Sequence, residues 1–427
     1  VRVIWHELIA GKRSAILRGT HGSSRTVRRN LLRTMPTRES LPGLRSPGAN
    51  PLPRLGIIGG GQLAKMTATA AAAFGCEVVI LERQAEFPAQ SLDSHSLVGD
   101  WDDPAQLQRL AELVDVVTLE NEFVSAEALS ALERAGHALL PRARTLALVR
   151  DKLRQKEVFL QAGIAVAAFA DTPSLAAARA FGLPLVLKKR HFSYDGKGNA
   201  AARTEEELAH AWHHLDGERN PLYAERWIPF ERELAVIVTR GQDGRMVTYP
   251  VVETINTNHI CHIVRAPAGV AESVARQAAE MARRAVEAVE GIGSFGLEFF
   301  HLASGDLLLN EIAPRVHNTG HYTIEGCHCS QFENHVRAVL GWPLGSPEMV
   351  AKAAVMVNML GRGEGAGTPE GLRDALQVDG AHVHVYGKTR SARGRKMGHV
   401  TVVGETVEDC ERRARKAAES IRFGGEG

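Results

Sequence analysis

The chain has no apolar run near the roughly eighteen residues that a membrane-spanning helix needs, so no such helix is expected. It also lacks a dominant charge. Lys and Arg number 51 against 49 Asp and Glu, a formal net charge of +2, which gives no general affinity for polyanions. Cysteine is sparse: Cys76, Cys261, Cys327, Cys329 and Cys410 are scattered. Cys327-x-Cys329 does not have the spacing of a zinc knuckle, and the expectation is reduced thiols in a cytoplasmic protein. No aromatic–basic interleaving surrounds Trp227 or Trp342, which reads them as packing residues rather than a nucleic-acid stacking platform. No segment repeats at a fixed period.

What remains is an ordinary globular composition, 44% hydrophobic and 23% charged, over 427 residues. That length exceeds one core and predicts two or three domains. The segment up to Arg54 differs in kind: eleven Lys or Arg face only Glu7 and Glu39, and five prolines crowd its second half. Residues 1–53 are expected to be a disordered basic leader, whether a transit peptide, a tail, or sequence upstream of a start such as Met35. The fold is expected to divide into 54–150, 151–345 and 346–427.

From Arg54 onward, short aliphatic strands (Leu55–Ile58, Val78–Glu82, Val114–Leu119) alternate with helical segments. This pattern predicts an α/β fold with a doubly wound parallel sheet. Gly59-Gly60-Gly61-Gln62 after the first strand is either an anion cradle at a helix start or a tight turn, and it lacks the third glycine of a dinucleotide fingerprint. A charged helix starts at Asp151-Lys152 and ends near Gly163. The strand Pro184–Lys189 finishes on two lysines and enters a basic glycine loop, Arg190–Asn199. Such a loop suits phosphate enclosure, although a solvated hairpin loop has the same composition. Tyr223–Ile228 reads as an edge strand beside an adenine slot, and Glu231–Val238 as a core strand. An Ala-rich helix is expected from Ala271 to about Glu290.

Phe295–His301 and Asp306–Ile312 read as two strands joined across Ser304-Gly305. A turn centred there places Glu298 opposite Glu311, with both carboxylates on one face roughly 5 Å apart at Cβ. Two such charges repel unless a cation joins them. Mg²⁺ takes one or two protein carboxylates plus substrate phosphates, which predicts a nucleotide-triphosphate site. His317 and His321 are four apart, a zinc spacing on a helix, but Pro314 and Gly320 argue against a helix there. His382 and His384 alternate on a strand and read as structural or surface residues.

Four motifs occur in order: Gly60-x-Gln62-Leu63-Ala64-Lys65-Met66; Tyr194-Asp195-Gly196-Lys197-Gly198; Asn310-Glu311-x-Ala313-Pro314-Arg315-x-His317-Asn318-x-Gly320-His321; and Gly394-Arg395-Lys396-Met397-Gly398-His399. From Arg54 to the C-terminus the chain resembles the N5-carboxyaminoimidazole ribonucleotide synthetase family of ATP-grasp enzymes. The competing resemblance is to formate-dependent glycinamide ribonucleotide transformylase. A non-catalytic nucleotide-binding scaffold on the same fold is the alternative of a different class.

The synthetase resemblance implies an ATP-grasp domain with a parallel-sheet domain before it and a small domain after it. It implies carboxylation of 5-aminoimidazole ribonucleotide by ATP and bicarbonate through carboxyphosphate. Glu298 and Glu311 would hold Mg²⁺, with Mn²⁺ as a substitute. Lys152, Lys188 and Asn310 would serve the ATP phosphates, and Glu225, Ile228 and Glu233 the adenosine. Arg315, His317, Asn318 and Lys388 would surround bicarbonate and carboxyphosphate. Gln62, Glu122, Tyr194, Asp195, Lys197 and Arg395 would bind the aminoimidazole nucleotide. The partners implied are small molecules and a second copy of the chain, with no nucleic acid and no membrane. The chain departs from the family at Asn121 and Phe123 around Glu122, at Ser193 where a glycine commonly precedes the tyrosine, and at Lys152, which keeps the charge of an arginine but loses its planar fork.

Overall fold

The structure, a computed structural model, describes residues 52–95, 97–191, 198–257 and 260–425. The basic leader expected over 1–53 falls outside the described residues almost entirely.

Leu55–Ile58, Val78–Glu82, Leu97–Val98 and Val116–Leu119 form a parallel sheet, with Leu55–Ile58 between Val78–Glu82 and Val116–Leu119. Its central strand is buried on both faces, which is why it reads as a continuous aliphatic run rather than an alternating one. Ile58, Val79 and Leu81 face helices Pro104–Leu113 and Ala126–Arg134. Leu55, Ile57 and Ile80 face helix Gln62–Ala73 and, from far along the chain, Val336 and Val339 of helix Gln331–Val339.

The glycine loop resolves the choice left by the sequence. The Gly61 and Ala64 amides donate to the Glu120 carboxylate at 2.7 and 3.0 Å, and the Gly60 amide donates to Glu82 at 2.7 Å. The anion at this positive helix end is therefore the protein's own. Glycine is needed for close approach: a Cβ on Gly61 would lie 2.5 Å from Glu120 Oε1, and one on Gly60 would lie 2.4 Å from the Phe87 ring. Glu120→Ala leaves those amides without their acceptor and is expected to cost about 1–3 kcal/mol in urea denaturation. A change below a few tenths would overturn the assignment.

A second, antiparallel sheet runs in the order Phe169–Asp171, Leu222–Arg226, Leu185–Lys189, Asn199–Ala202. The segment expected as an edge strand, Tyr223–Ile228, is thus an interior strand, Leu222–Arg226, paired on both sides. Tyr223 and Glu225, two apart and so on one face, are both buried, the carboxylate against lysines.

The third sheet has nine strands and is antiparallel. Its order is Leu307–Ala313, Gly293–Leu302, Phe230–Arg240, Val252–Thr257, Ile260–Ala266, Ala353–Leu360, Lys396–Gly404, Ala381–Val385, with Met246–Thr248 beside Phe230–Arg240. Helix Glu272–Ala288 covers one end through Ala278, Met281, Ala282 and Ala285. Helix Val407–Ser420 covers the other through Cys410, Ala414 and Ala417. The sheet runs without a break from the 293–313 hairpin into the C-terminal strands. Among the described residues no helix is long and apolar enough to cross a membrane.

Candidate active site

Glu298 and Glu311 are paired across the hairpin, but not by the expected route. The turn is a three-residue loop, Ala303–Gly305, closed by the Gly305 amide on the Leu302 carbonyl at 2.8 Å, with Gly305 at φ 87. Near the turn Phe300 faces Leu308 and Phe299 faces Leu309, which by itself would put Glu298 opposite Asn310. A bulge at Asn310 adds one residue and restores the Glu298–Glu311 pair. Asn310 is left beside the pair, its Oδ1 3.5 Å from Lys188 Nζ.

Burial, then Glu311 and Glu233, push the Glu298 carboxyl up to about 8. Glu233 stands on the adjacent strand Phe230–Arg240, and the Asn256 amide donates to it at 2.5 Å. Among the described residues no three His, Cys, Asp or Glu side chains converge as a metal centre. Two carboxylates whose repulsion is poorly relieved are nonetheless a donor set that fits Mg²⁺ when phosphates supply the remaining oxygens.

Lys152 faces this pair, and Lys188 stands beside it on Asn310 and Glu225. Asp151 caps helix Lys152–Gln161 by accepting the Leu153 amide at 3.1 Å, and Arg190 holds Asp151 from the far side at 3.0 Å. This sets Lys152 Nζ 3.2 Å from Glu311. Lys188, from strand Leu185–Lys189, lies 2.6 Å from Glu225. Lys156, which the sequence reading did not single out, is 1% exposed and lies 2.9 Å from the other Glu225 oxygen. Burial would raise the Glu225 carboxyl, but the two ammonium groups overcome it and hold it at about 2. Burial lowers Lys156, and the nearby Lys188 adds to that. The signal for Lys156 was its i+4 spacing from Lys152 on one helix face. Glu225, expected at the adenosine, directs both oxygens at lysines. Ile228 is half-buried in the crossover that follows.

A cavity of about 550 Å³ joins the remaining groups. Its lining takes Gln62 from the start of the first helix and Glu122 from the loop after the Val116–Leu119 strand. Lys152, Glu298 and Glu311 line it with Arg315, His317 and Asn318, and Lys388 and Arg395 reach it from the C-terminal region. Arg315 Nε and Nη2 donate to the two oxygens of Glu122 at 2.6 and 3.1 Å, a bidentate pair that the sequence reading did not assign. His317 Nδ1 is 2.9 Å from the Thr319 hydroxyl, and Nε2 is 3.8 Å from Glu298. Asn318–Gly320 is a 3-10 turn, so the helix required for a zinc pair is absent there. Asn318 exchanges amide hydrogen bonds with Asn358 at 3.0 and 2.7 Å. Lys388 Nζ donates to the Lys396 carbonyl at 2.7 Å, and Arg395 Nη1 to the Arg390 carbonyl at 2.8 Å. Tyr194, Asp195 and Lys197 lie outside the described residues.

Away from the cavity, His384 stacks on His399 at 4.4 Å and pairs with Glu325 at 2.6 Å, in keeping with a structural role. Trp342 packs edge-on against Phe74.

An acidic pair with lysines about it, on a sheet next to a smaller antiparallel sheet, is the arrangement that the ATP-grasp resemblance implies, and the chain matches the model of that class. The chain matches the ribonucleotide synthetase preATP-grasp domain over 52–150, the ATP-grasp domain over 157–332, and the phosphoribosylaminoimidazole carboxylase C-terminal domain over 354–413. It is 39% identical over 369 residues to the N5-carboxyaminoimidazole ribonucleotide synthase of Synechococcus elongatus, covering 85% of this chain and 92% of that one. It is 42% identical over 363 residues to the chloroplastic phosphoribosylaminoimidazole carboxylase of Vigna aconitifolia, covering 84% of this chain but only 65% of that relative's length. The structure of the Aspergillus clavatus N5-carboxyaminoimidazole synthase in complex with ADP and 5-aminoimidazole ribonucleotide superposes with a TM-score of 0.78. Identity there is 34%, over 86% of this chain and 98% of that one. The chain belongs to the N5-carboxyaminoimidazole ribonucleotide synthase family.

Proposed function

We propose that the chain carboxylates 5-aminoimidazole ribonucleotide with bicarbonate at the expense of ATP, giving N5-carboxyaminoimidazole ribonucleotide, ADP and phosphate in purine synthesis. The observation that carries this reading is the meeting, in one cavity, of the Glu298–Glu311 pair with Arg315, His317, Asn318 and Lys388. A bicarbonate oxygen attacks the γ-phosphorus of ATP and ADP leaves, forming carboxyphosphate. Carboxyphosphate breaks to CO₂ and phosphate. The exocyclic amine of the nucleotide then forms a bond to the CO₂ carbon and gives up a proton.

Glu298 and Glu311 would hold Mg²⁺, which when bound offsets the phosphate charge during transfer. Lys152 and Lys188 extend that neutralisation towards the phosphates. Arg315, with its Nε and Nη2 on Glu122 and an Nη1–H on the Val316 carbonyl, presents its remaining N–H groups to a carbonate-like anion. When Nδ1–H is given to the Thr319 hydroxyl, His317 Nε2 faces the cavity as an acceptor and can take the amine proton. Lys388 and Arg395 supply cationic charge on the opposite wall. The five free thiols fit a reducing cytoplasm, and the working form is a homodimer, as is common in the family.

The test is ADP release by purified protein with MgATP and bicarbonate, with and without 5-aminoimidazole ribonucleotide. Release that depends on that nucleotide, with the carboxylated product identified by mass, is the expected result. Release that instead needs formate and glycinamide ribonucleotide would reassign the chain.

A further inference from the structure

His317 must aim one ring nitrogen into the cavity, yet it sits in a segment with little regular structure. Its backbone is extended, at φ −127 and ψ 151, and outside any strand. An extended residue outside a sheet exposes an N–H and a C=O that need partners. Both find them in a single side chain. Gln331 Oε1 accepts the His317 N–H at 2.9 Å, and Gln331 Nε2 donates to the His317 carbonyl at 2.6 Å. The amide of Gln331 thus stands where a neighbouring strand would stand.

The clamp is built in rather than incidental. Gln331 is fully buried and is the first residue of helix Gln331–Val339. Its own amide donates to Thr323 Oγ1 at 3.0 Å, and that hydroxyl donates to the Gly320 carbonyl at 2.6 Å. Gly320 leaves room for the clamp, since a Cβ there would fall 2.6 Å from Gln331 Cδ. Gly296 leaves room for the histidine, since a Cβ there would fall 2.4 Å from His317 Cβ. Gln331 Nε2 is also 3.3 Å from Nδ1 of the buried His321. On the next residues, Leu63, Val316 and Phe332 form one apolar cluster, which joins the start of the first helix, the His317 segment and the clamp helix. Helix 331–339 therefore ties the placement of His317 to the element that carries Gln62.

We propose that Gln331 is a positioning residue for the carboxylation reaction: its side-chain amide, bonded to both main-chain groups of His317, sets the aim of the imidazole towards Glu298. This deepens the reading of His317 given above and rests on it. Gln331 touches no reacting atom and acts through His317. Small displacements of a reacting group are costly, so loss of the clamp shows in turnover more than in nucleotide binding.

Two variants test this, Gln331→Met, which removes both bonds, and Gln331→Glu, which keeps the shape and the acceptor but loses the donor. Each is assayed for nucleotide-dependent ADP release and KM for ATP. Each is also ¹⁵N-histidine labelled, with the His317 ring signals assigned from the His317→Asn spectrum. Turnover is expected to fall at least ~tenfold in both variants, with KM for ATP within about twofold of the parent. The His317 ring signals should move while those of the exposed His210 stay fixed. If Gln331→Met does not fold, Gln331→Glu decides the matter. Unchanged His317 signals overturn the proposal, whether or not turnover falls, because a fall without them marks a purely structural residue. Parent protein that shows no nucleotide-dependent release would instead refute the reaction assigned to the chain, and the ring signals would still decide the role of Gln331.

Discussion

Replacing Glu298 and Glu311 together by glutamine is expected to reduce nucleotide-dependent ADP release on the order of a thousandfold or more. The reason is electrostatic: transfer of a phosphoryl group needs its charge offset, and this pair is the donor set that would hold the cation that offsets it. Loss of folding is not the cause anticipated. Glu298 has its carboxyl raised to about 8 from an ordinary 4.5, so ionising it costs the folded state stability, and that cost grows as pH rises through this range. In metal-free protein at pH 8 the double variant should therefore melt no lower than the parent. Turnover within about tenfold of the parent would refute the metal assignment, and a large drop in melting temperature would refute the electrostatic account.

Glu225→Gln carries the largest expected effect on stability. The change leaves Lys156, 1% exposed, without its carboxylate and with Lys188 still nearby. Stranding a buried charge in this way costs about 3–5 kcal/mol. The sign with pH follows from the depressed carboxyl. With a folded value of about 2 against an ordinary 4.5, the contribution of Glu225 is fully present above 4.5 and is lost as pH falls towards 2. Urea denaturation curves of parent and variant should be well separated at pH 7 and draw together in that acid window. A separation at pH 7 below about 1 kcal/mol would mean the three groups are not coupled as described.

The parts of this molecule that were legible in the sequence are those where side-chain chemistry and spacing point the same way. The parallel sheet could be read because its strands are aliphatic runs between helical segments. The Glu298–Glu311 pair was readable too, although through two compensating errors. A loop longer by one residue shifts the register one way, and the bulge at Asn310 shifts it back. Neither leaves a composition signal, since a three-residue loop also ends on glycine and a bulge accepts an asparagine. Glu120 and Gln331 stayed hidden for a different reason. Their partners are main-chain groups of residues distant in sequence, and no spacing rule reaches across such a gap. Lys156 was hidden because burial is a property of the packed fold. In sequence its i+4 spacing from Lys152 marks a shared helix face but not that this face is buried.

The unbroken nine-stranded sheet has a consequence for how the cavity can move. Glu298, Glu311 and Lys396 belong to strands of that one sheet, and Lys388 is bonded to the Lys396 carbonyl. The walls that carry carboxylates and cations are in effect parts of one stiff plate. Ile263, Val264, Arg265 and Ala266 are laddered to Val357, Met356, Val355 and Ala354 at the seam, so separating the two ends would tear main-chain bonds rather than flex a linker. Movement of the cavity walls against that plate falls to the elements outside it, the antiparallel sheet that carries Lys188 and the parallel sheet whose loops bring Gln62 and Glu122. A chain cut before Ala353 would expose the Ile260–Ala266 ladder as a bare edge open to self-association. Shortening the chain from its C-terminus would thus remove one wall of the cavity and create an adhesive edge.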